Sequence, residues 1–163
     1  KMKKISILLV SLILLVKVNG CTGYKPIFGS TNLEFIIADY SISGDKKIGT
    51  QIYNKLNNLS RPIKNTAGVK NIYLIINASK DKTATAKDSA GKILGYKINL
   101  STVITIKDMI TGDEILSDNF SFSEVYKAQD QFSETVKLEN QNIQNLIDRT
   151  YQDLLIKLSE KLL

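Results

Sequence analysis

Apolar and polar residues alternate in several segments of the chain, and this spacing predicts strands. Leu33, Phe35 and Ile37 alternate with the residues between them, as in a short strand. Residues 71–78 are apolar on both faces, which is typical of a central strand. The longest alternation covers residues 94–106 and predicts a strand with one buried face. That face carries Leu94, Tyr96, Ile98, Leu100, Thr102, Ile104 and Ile106.

Two other segments have helical spacing. Ile48, Ile52, Leu56 and Leu59 form an apolar stripe, and this predicts an amphipathic helix that Ser43 and Asp45 can cap and that Pro62 ends. From about Phe132 onward a second helix is predicted, and it is the longest element of the chain. Its apolar stripe carries Ile143, Leu146, Ile147, Tyr151, Leu154, Leu155, Leu158 and Leu162.

A fourth strand and its connections complete the predicted fold. Residues 108–113 form a turn in which Gly112 takes a positive φ, and residues 115–126 return as a strand. Its buried side carries Leu116, Phe120, Phe122 and Tyr126. The polar residues 80–92 are either a mobile loop or an exposed hairpin extension. We therefore predict an α+β fold of order β-α-β-β-β-α, a four-stranded sheet with two helices packed on one face.

The composition disfavours an enzyme. The chain has 163 residues, no His and a single Cys, which suits one domain. Without His it cannot build a Ser-His-Asp or Cys-His arrangement, or a metal site of imidazoles. Ser-x-x-Lys occurs at Ser43 to Lys46 and at Ser79 to Lys82, but in turn-like segments. We predict no catalytic residue, no metal and no cofactor beyond a covalent lipid.

The basic charge is concentrated at the start of the chain. Four of the 22 Lys and Arg residues lie in the first twenty positions, which contain no acid. The other 18 basic side chains stand against 16 acidic ones, and only Arg61 and Arg149 are arginines. Nucleic-acid-binding domains are usually strongly basic. We therefore expect no nucleic-acid partner.

The first residues have the layout of a targeting segment. Residues 1–20 begin with lysines and continue with an apolar run over residues 5–16, as in a signal peptide. The run leads into Val18-Asn19-Gly20-Cys21, which resembles a bacterial lipobox. The resemblance implies cleavage after Gly20 and acylation of Cys21, which would anchor the chain firmly. Residues 21–31 are then an acylated tether, and residues 32–163 are a single domain.

The start of the mature chain resembles the LPS-assembly lipoproteins, the LptE family. Its members commonly open with Cys-Gly-aromatic-basic-Pro-aliphatic-aromatic, and Gly23 to Phe28 match this order with Thr22 as an extra residue after Cys21. The predicted element order and Tyr126, near the end of the last strand, agree with the family. The resemblance implies a non-enzymatic lipoprotein on the periplasmic side of the cell outer membrane. Thr22, in place of the Asp of inner-membrane lipoproteins, is consistent with that destination.

The implied partners are an LptD-like outer-membrane β-barrel, which the chain would plug, and lipopolysaccharide, whose transport and assembly it would assist. A barrel lumen is polar, so the partner-facing candidates are Asn99, Ser101, Thr105, Asn119, Ser121 and Ser123. Contact with polyanionic lipopolysaccharide needs cations, and the candidates are Arg61, Lys64, Lys80, Lys82, Lys87 and Lys92. An ordinary solvated surface also explains both sets. An alternative function is a periplasm-facing lipid- or ligand-binding accessory lipoprotein of an envelope transporter.

Overall fold

The computed structural model describes residues 35–60 and 69–162, which form four strands and two helices. The strands are β1 (Phe35–Gly44), β2 (Lys70–Lys87), β3 (Ile93–Asp108) and β4 (Glu114–Lys127). The helices are α1 (Lys46–Leu59), which lies between β1 and β2, and α2 (Phe132–Leu162), which follows β4. The order β-α-β-β-β-α confirms the predicted α+β fold.

The four strands form one mixed sheet in the order β1-β2-β3-β4. β1 and β2 are parallel because α1 carries the chain back between them, whereas β2, β3 and β4 are successively antiparallel. The pairing of β1 shifts between Ile37 and Asp39, so this strand contains a bulge. β3 pairs with β4 without a shift from Gly95 to Ile106.

Both helices pack on one face of the sheet, as predicted. On β2, β3 and β4 the buried residues of this face have even numbers, as the period of two requires. They are Ile72, Leu74, Ile76, Ala78, Ile98, Leu100, Thr102, Ile104, Ile106, Leu116, Phe120 and Tyr126. The helices cover them with Ile48, Ile52, Leu56, Leu146, Ile147, Leu154, Leu155 and Leu158. Each large side chain buried in this way contributes about 1.5–3 kcal/mol to folding.

The junction between β1 and α1 needs a glycine and a capping carboxylate. Gly44 has φ 74°, and a Cβ placed on it would collide with the carbonyl oxygen of Ala78. That carbonyl accepts the N–H of Asp45 at 2.7 Å. Asp45 is the N-cap, and its Oδ1 accepts the N–H of Ile48 at 3.1 Å. The prediction of a cap at Asp45 is therefore confirmed.

Three details differ from the sequence-based predictions, and one open alternative is resolved. β1 continues past Ile37 to Gly44, because the bulge breaks the alternation without ending the strand. Residues 80–92 are the hairpin extension, since β2 runs to Lys87 and β3 begins at Ile93. Leu94 is 45% exposed, because the facing residues of β2 lie in this extension, outside the core. Leu59 is 42% exposed, because it is the last residue of α1.

No helix within residues 35–60 and 69–162 is long and apolar enough to cross a membrane.

Candidate functional site

The face of the sheet opposite the helices is uncovered by the described residues and carries all six partner-facing candidates. We call this surface the open face. Its central rows are fixed by the strand register: Ile75–Thr105–Ser117, Asn77–Val103–Asn119, Ser79–Ser101–Ser121 and Asp81–Asn99–Ser123. The three rows from Ile75 to Ser121 contain hydroxyl, amide and aliphatic side chains and no charged one. The open face is therefore an uncharged polar surface in its centre.

The side chains of the open face are already hydrogen bonded to one another. The Ser101 hydroxyl donates to Oδ1 of Asn119 at 3.1 Å, and the hydroxyls of Thr105 and Ser117 lie 3.0 Å apart. The Ser79 hydroxyl donates to the Ser101 carbonyl at 3.4 Å. Neutral groups that satisfy each other lose little when a partner displaces water, in contrast to ionised groups. Such a surface can be buried against a partner without leaving an ionised group unpaired.

The lysine candidates are on a different part of the molecule. Lys80 and Lys82 lie on even positions of β2, so they face the helix side rather than the open face. Lys87 is the last residue of β2, and Lys92 directly precedes β3. The Nζ atom of Lys92 is 3.7 Å from Oδ1 of Asp130. The two candidate sets therefore do not form one site. Arg61, Lys64 and the lipidation candidate Cys21 lie outside the described residues.

Lys82 is the most engaged of these lysines. Its Nζ lies 2.5 Å from Oε2 of Glu139 on α2, and 4.2 Å from the centre of the Tyr96 ring. The Tyr126 hydroxyl donates to the same Glu139 oxygen at 3.1 Å, and the Tyr96 and Tyr126 rings stack at 5.6 Å. We call these four residues the lysine clamp. It joins the hairpin extension to α2.

The electrostatics of the lysine clamp reflect these contacts. Desolvation opposes ionisation of Glu139, but the hydrogen bonds from Lys82 and Tyr126 outweigh it, so the pKa of Glu139 is lowered. Desolvation likewise opposes the charge on Lys82, but Glu139 and Tyr126 outweigh it, so the pKa of Lys82 is raised. Desolvation raises the pKa of the Tyr126 hydroxyl. Lys82 is thus already paired with Glu139 of the same chain, whereas Lys87 is exposed at the end of β2.

A cavity of about 260 Å³ lies beside the start of α1 and is lined mainly by polar side chains. Its lining is Asp45, Lys47, Ile48, Gln51, Lys80, Asn140, Ile143 and Gln144. A site for an acyl chain would need mainly apolar walls. This cavity therefore does not suit a bound lipid tail.

The described residues contain no cluster of His, Cys, Asp and Glu that could hold a metal ion. Ser79 and Lys82 of one Ser-x-x-Lys match differ in parity, and their side chains lie on opposite faces of β2. They cannot act as a nucleophile and its base.

Sequence reasoning missed part of the open face. Asn77, Ser79 and Ser117 belong to it, and their parity relative to the buried residues of β2 and β4 could have revealed them. The role of Glu139 had no comparable signal. It joins Lys82 across 57 positions of sequence, and only the folded chain brings them together.

Comparison with known proteins shows a shared fold. No family model and no curated protein matches the sequence. Among solved structures, a minor lipoprotein from Acinetobacter baumannii matches with TM-score 0.52 and 14% identity, over 77% of this chain and 93% of that one. An uncharacterized lipoprotein B from Nitrosomonas europaea matches with TM-score 0.51 and 12% identity, over 76% and 83%. The chain therefore has the fold of structurally similar bacterial lipoproteins.

Proposed function

We propose that this chain is an LPS-assembly lipoprotein of the LptE type. In this proposal Cys21 carries the lipid, and the domain lies on the periplasmic side of the outer membrane. The open face binds the luminal wall of an LptD-like β-barrel, which the chain plugs while it assists lipopolysaccharide transport. The observation that carries the proposal is the uncharged, hydrogen-bonding centre of the open face, on a fold shared with bacterial lipoproteins.

The open face suits a polar wall better than an apolar partner. The lumen of a transmembrane barrel presents polar side chains, and the hydroxyl and amide groups around Ser101 can exchange hydrogen bonds with them. Val103, 42% exposed, is the apolar residue at its centre. Direct contact with lipopolysaccharide is a separate part of the proposal, and among the described residues Lys87 and Lys92 at the hairpin tip are its cations.

The test is a pull-down of the tagged, full-length chain from native envelopes in mild detergent, with the bound species identified by mass. We expect a large β-barrel protein at about one copy per chain. The Ser101→Lys variant places a charge in the middle of the open face and should reduce the barrel yield about tenfold or more, since burying an unpaired charge costs several kcal/mol. Asn54→Lys, on the exposed side of α1, adds the same charge elsewhere and should leave the yield unchanged.

Two results would overturn the proposal. One is recovery of a phospholipid or a transporter subunit without a barrel, which would favour the accessory-lipoprotein function. The other is a barrel yield that Ser101→Lys and Asn54→Lys leave equally intact, which would remove the open face from the interface. Thermal unfolding of both variants must match the parent chain for the comparison to count.

A further inference from the structure

β4 is an edge of the sheet, and one hydrogen bond fixes which of its backbone groups point outward. Ala128 N–H donates to the Leu94 carbonyl at 3.0 Å, and this pair continues the β3–β4 register. In an antiparallel ladder, hydrogen-bonded pairs recur at every second residue. The even residues of β4 therefore bond to β3. The odd residues, from Ser117 to Val125, direct their N–H and C=O groups away from the sheet.

Part of this outer edge is already occupied and part is free. The Asn119 N–H donates to the carboxylate of Asp118 at 2.8 Å, and Asp118 is also paired with Lys157 of α2. Beyond this point Ser121, Ser123 and Val125 are exposed, and no described residue outside β4 bonds to their backbone groups. This stretch contains no Pro, no Lys and no bulge, which are among the features that prevent strand addition, and its one charged residue is Glu124.

We propose that, in chains that are not bound inside a barrel, the free edge of β4 pairs with β4 of a second copy of this chain, antiparallel about a two-fold axis at Ser123. This register places Ser123 opposite Ser123 of the other copy and Ser121 opposite its Val125. In this register the outward N–H and C=O groups of Ser121, Ser123 and Val125 all form hydrogen bonds to the other copy. The N–H of Asn119, which already bonds to Asp118, is not needed. The result is one continuous sheet across both copies.

Charge complementarity selects the second copy and this register. Glu124 lies opposite Phe122 of the other copy, whose ring has the Arg149 guanidinium 5.1 Å from its centre. Within one copy Arg149 is already 4.0 Å from Glu124, so each Glu124 approaches two guanidinium groups in the dimer. A shift of the two-fold axis to position 124 would oppose two Glu124 carboxylates, which is unfavourable. A shift to Phe122 would require the occupied N–H of Asn119.

A cysteine scan along the edge tests both the pairing and its register. The variants Ser117→Cys, Asn119→Cys, Ser121→Cys, Ser123→Cys and Val125→Cys of the full chain are treated with a short bismaleimide, in envelopes and after purification in detergent. Ser123→Cys should give the strongest dimer band, because the paired Cα atoms lie about 5.5 Å apart. Position 117 is then about 40 Å from its copy, since strands rise about 3.4 Å per residue, and should give none. The parent chain, whose only cysteine is Cys21, gives the background.

A backbone substitution separates this inference from the proposed function, on which it does not depend. Ser123→Pro removes an outward N–H without removing a bond to β3, and it should abolish dimerisation in sedimentation analysis. Ser123→Ala keeps the N–H and should dimerise like the parent chain. Equal crosslinking at positions 117 and 123, or a monomeric parent chain at high micromolar concentration, would overturn the proposal whatever the barrel pull-down shows.

Discussion

Thr102 is the one described residue whose buried side-chain oxygen has no hydrogen-bond partner. It is fully buried on β3, between Ala78 of β2 and Phe120 of β4. A buried hydroxyl without a partner costs about 1–3 kcal/mol. We expect Thr102→Val, which keeps the shape, to raise the free energy of unfolding by about 1 kcal/mol in urea titrations.

The buried Thr150 provides the matched control for Thr102. Its hydroxyl donates to the Leu146 carbonyl at 2.9 Å, so Thr150→Val removes a hydrogen bond that is made. We expect this variant to be no more stable than the parent chain. A similar gain from both substitutions would mean that side-chain apolarity, rather than the unpaired hydroxyl, determines the result.

The lysine clamp predicts a pH dependence of stability. Folding lowers the pKa of Glu139 below 4.5, so its contribution is present above that pH and is lost as the pH falls through the folded value. Folding raises the pKa of Lys82 above 10.5, so its contribution is present below that pH and is lost on the alkaline side. Glu139→Gln should therefore destabilise the chain by up to about 1 kcal/mol at pH 7 and by less at pH 3.

Urea titrations at both pH values measure this difference. Glu134→Gln, an exposed carboxylate on the first turn of α2, is the control and should show a smaller change with pH. A loss of stability in Glu139→Gln that is equal at pH 3 and pH 7 would contradict a charged pair and indicate a packing effect of the side chain.

At the scale of elements, a comparison of two glycines with positive φ distinguishes the cost of backbone strain from the cost of a steric collision. Gly44 has φ 74° and Gly91 has φ 84°. A Cβ on Gly91 would meet no atom within 4 Å, whereas one on Gly44 would collide with the Ala78 carbonyl. Gly91→Ala should cost about 1 kcal/mol through strain alone, and Gly44→Ala about 3 kcal/mol with the overlap added. Equal losses in thermal unfolding would contradict the role of the β1–α1 junction.

The elements could be predicted from the sequence where a single period persists. Residues 94–106 and the α2 stripe each keep one period over many residues, and both elements were found near their observed positions. β1 was predicted too short because the bulge at Ala38 interrupts its alternation. For residues 80–92 the sequence does not distinguish a loop from a hairpin extension, because polar residues exposed on both faces give no alternation to detect.

For the candidate site, the sequence predicts only which face of the sheet a residue lies on, from its odd or even position in the strand. Alternation assigned Asn99, Ser101 and Thr105 to the face opposite the buried residues, and the register places them there. Their neighbours across the sheet depend on how far each strand is shifted against the next, and the sequence does not specify that shift. The pairing of Lys82 with Glu139 depends in the same way on the docking of α2.

At the scale of the whole molecule, the start of β1 and the tip of the β2–β3 hairpin, which carries Lys87 and Lys92, lie at opposite ends of the sheet. β1 begins at Phe35, and its first residues pair with the start of β2, near the β3–β4 turn. The tip around Lys87 and Lys92 lies at the other end of the β2–β3 hairpin. Cys21 and Phe35 are fourteen positions apart in the sequence, so the distance between them is at most about 50 Å.

The anchor is predicted from Cys21 and its outer-membrane destination from Thr22, and the two predictions can be tested separately. Cys21→Ala removes the thiol that would be acylated and should release the chain from membranes, because a single uncleaved apolar run of about twelve residues is too short to span the bilayer. Thr22→Asp keeps the thiol and should move the chain from outer to inner membrane fractions in a density gradient. Incorporation of labelled palmitate should be lost only in Cys21→Ala. If that variant stays in the outer-membrane fraction with the parent chain's yield, the domain is held there by its protein partner rather than by lipid.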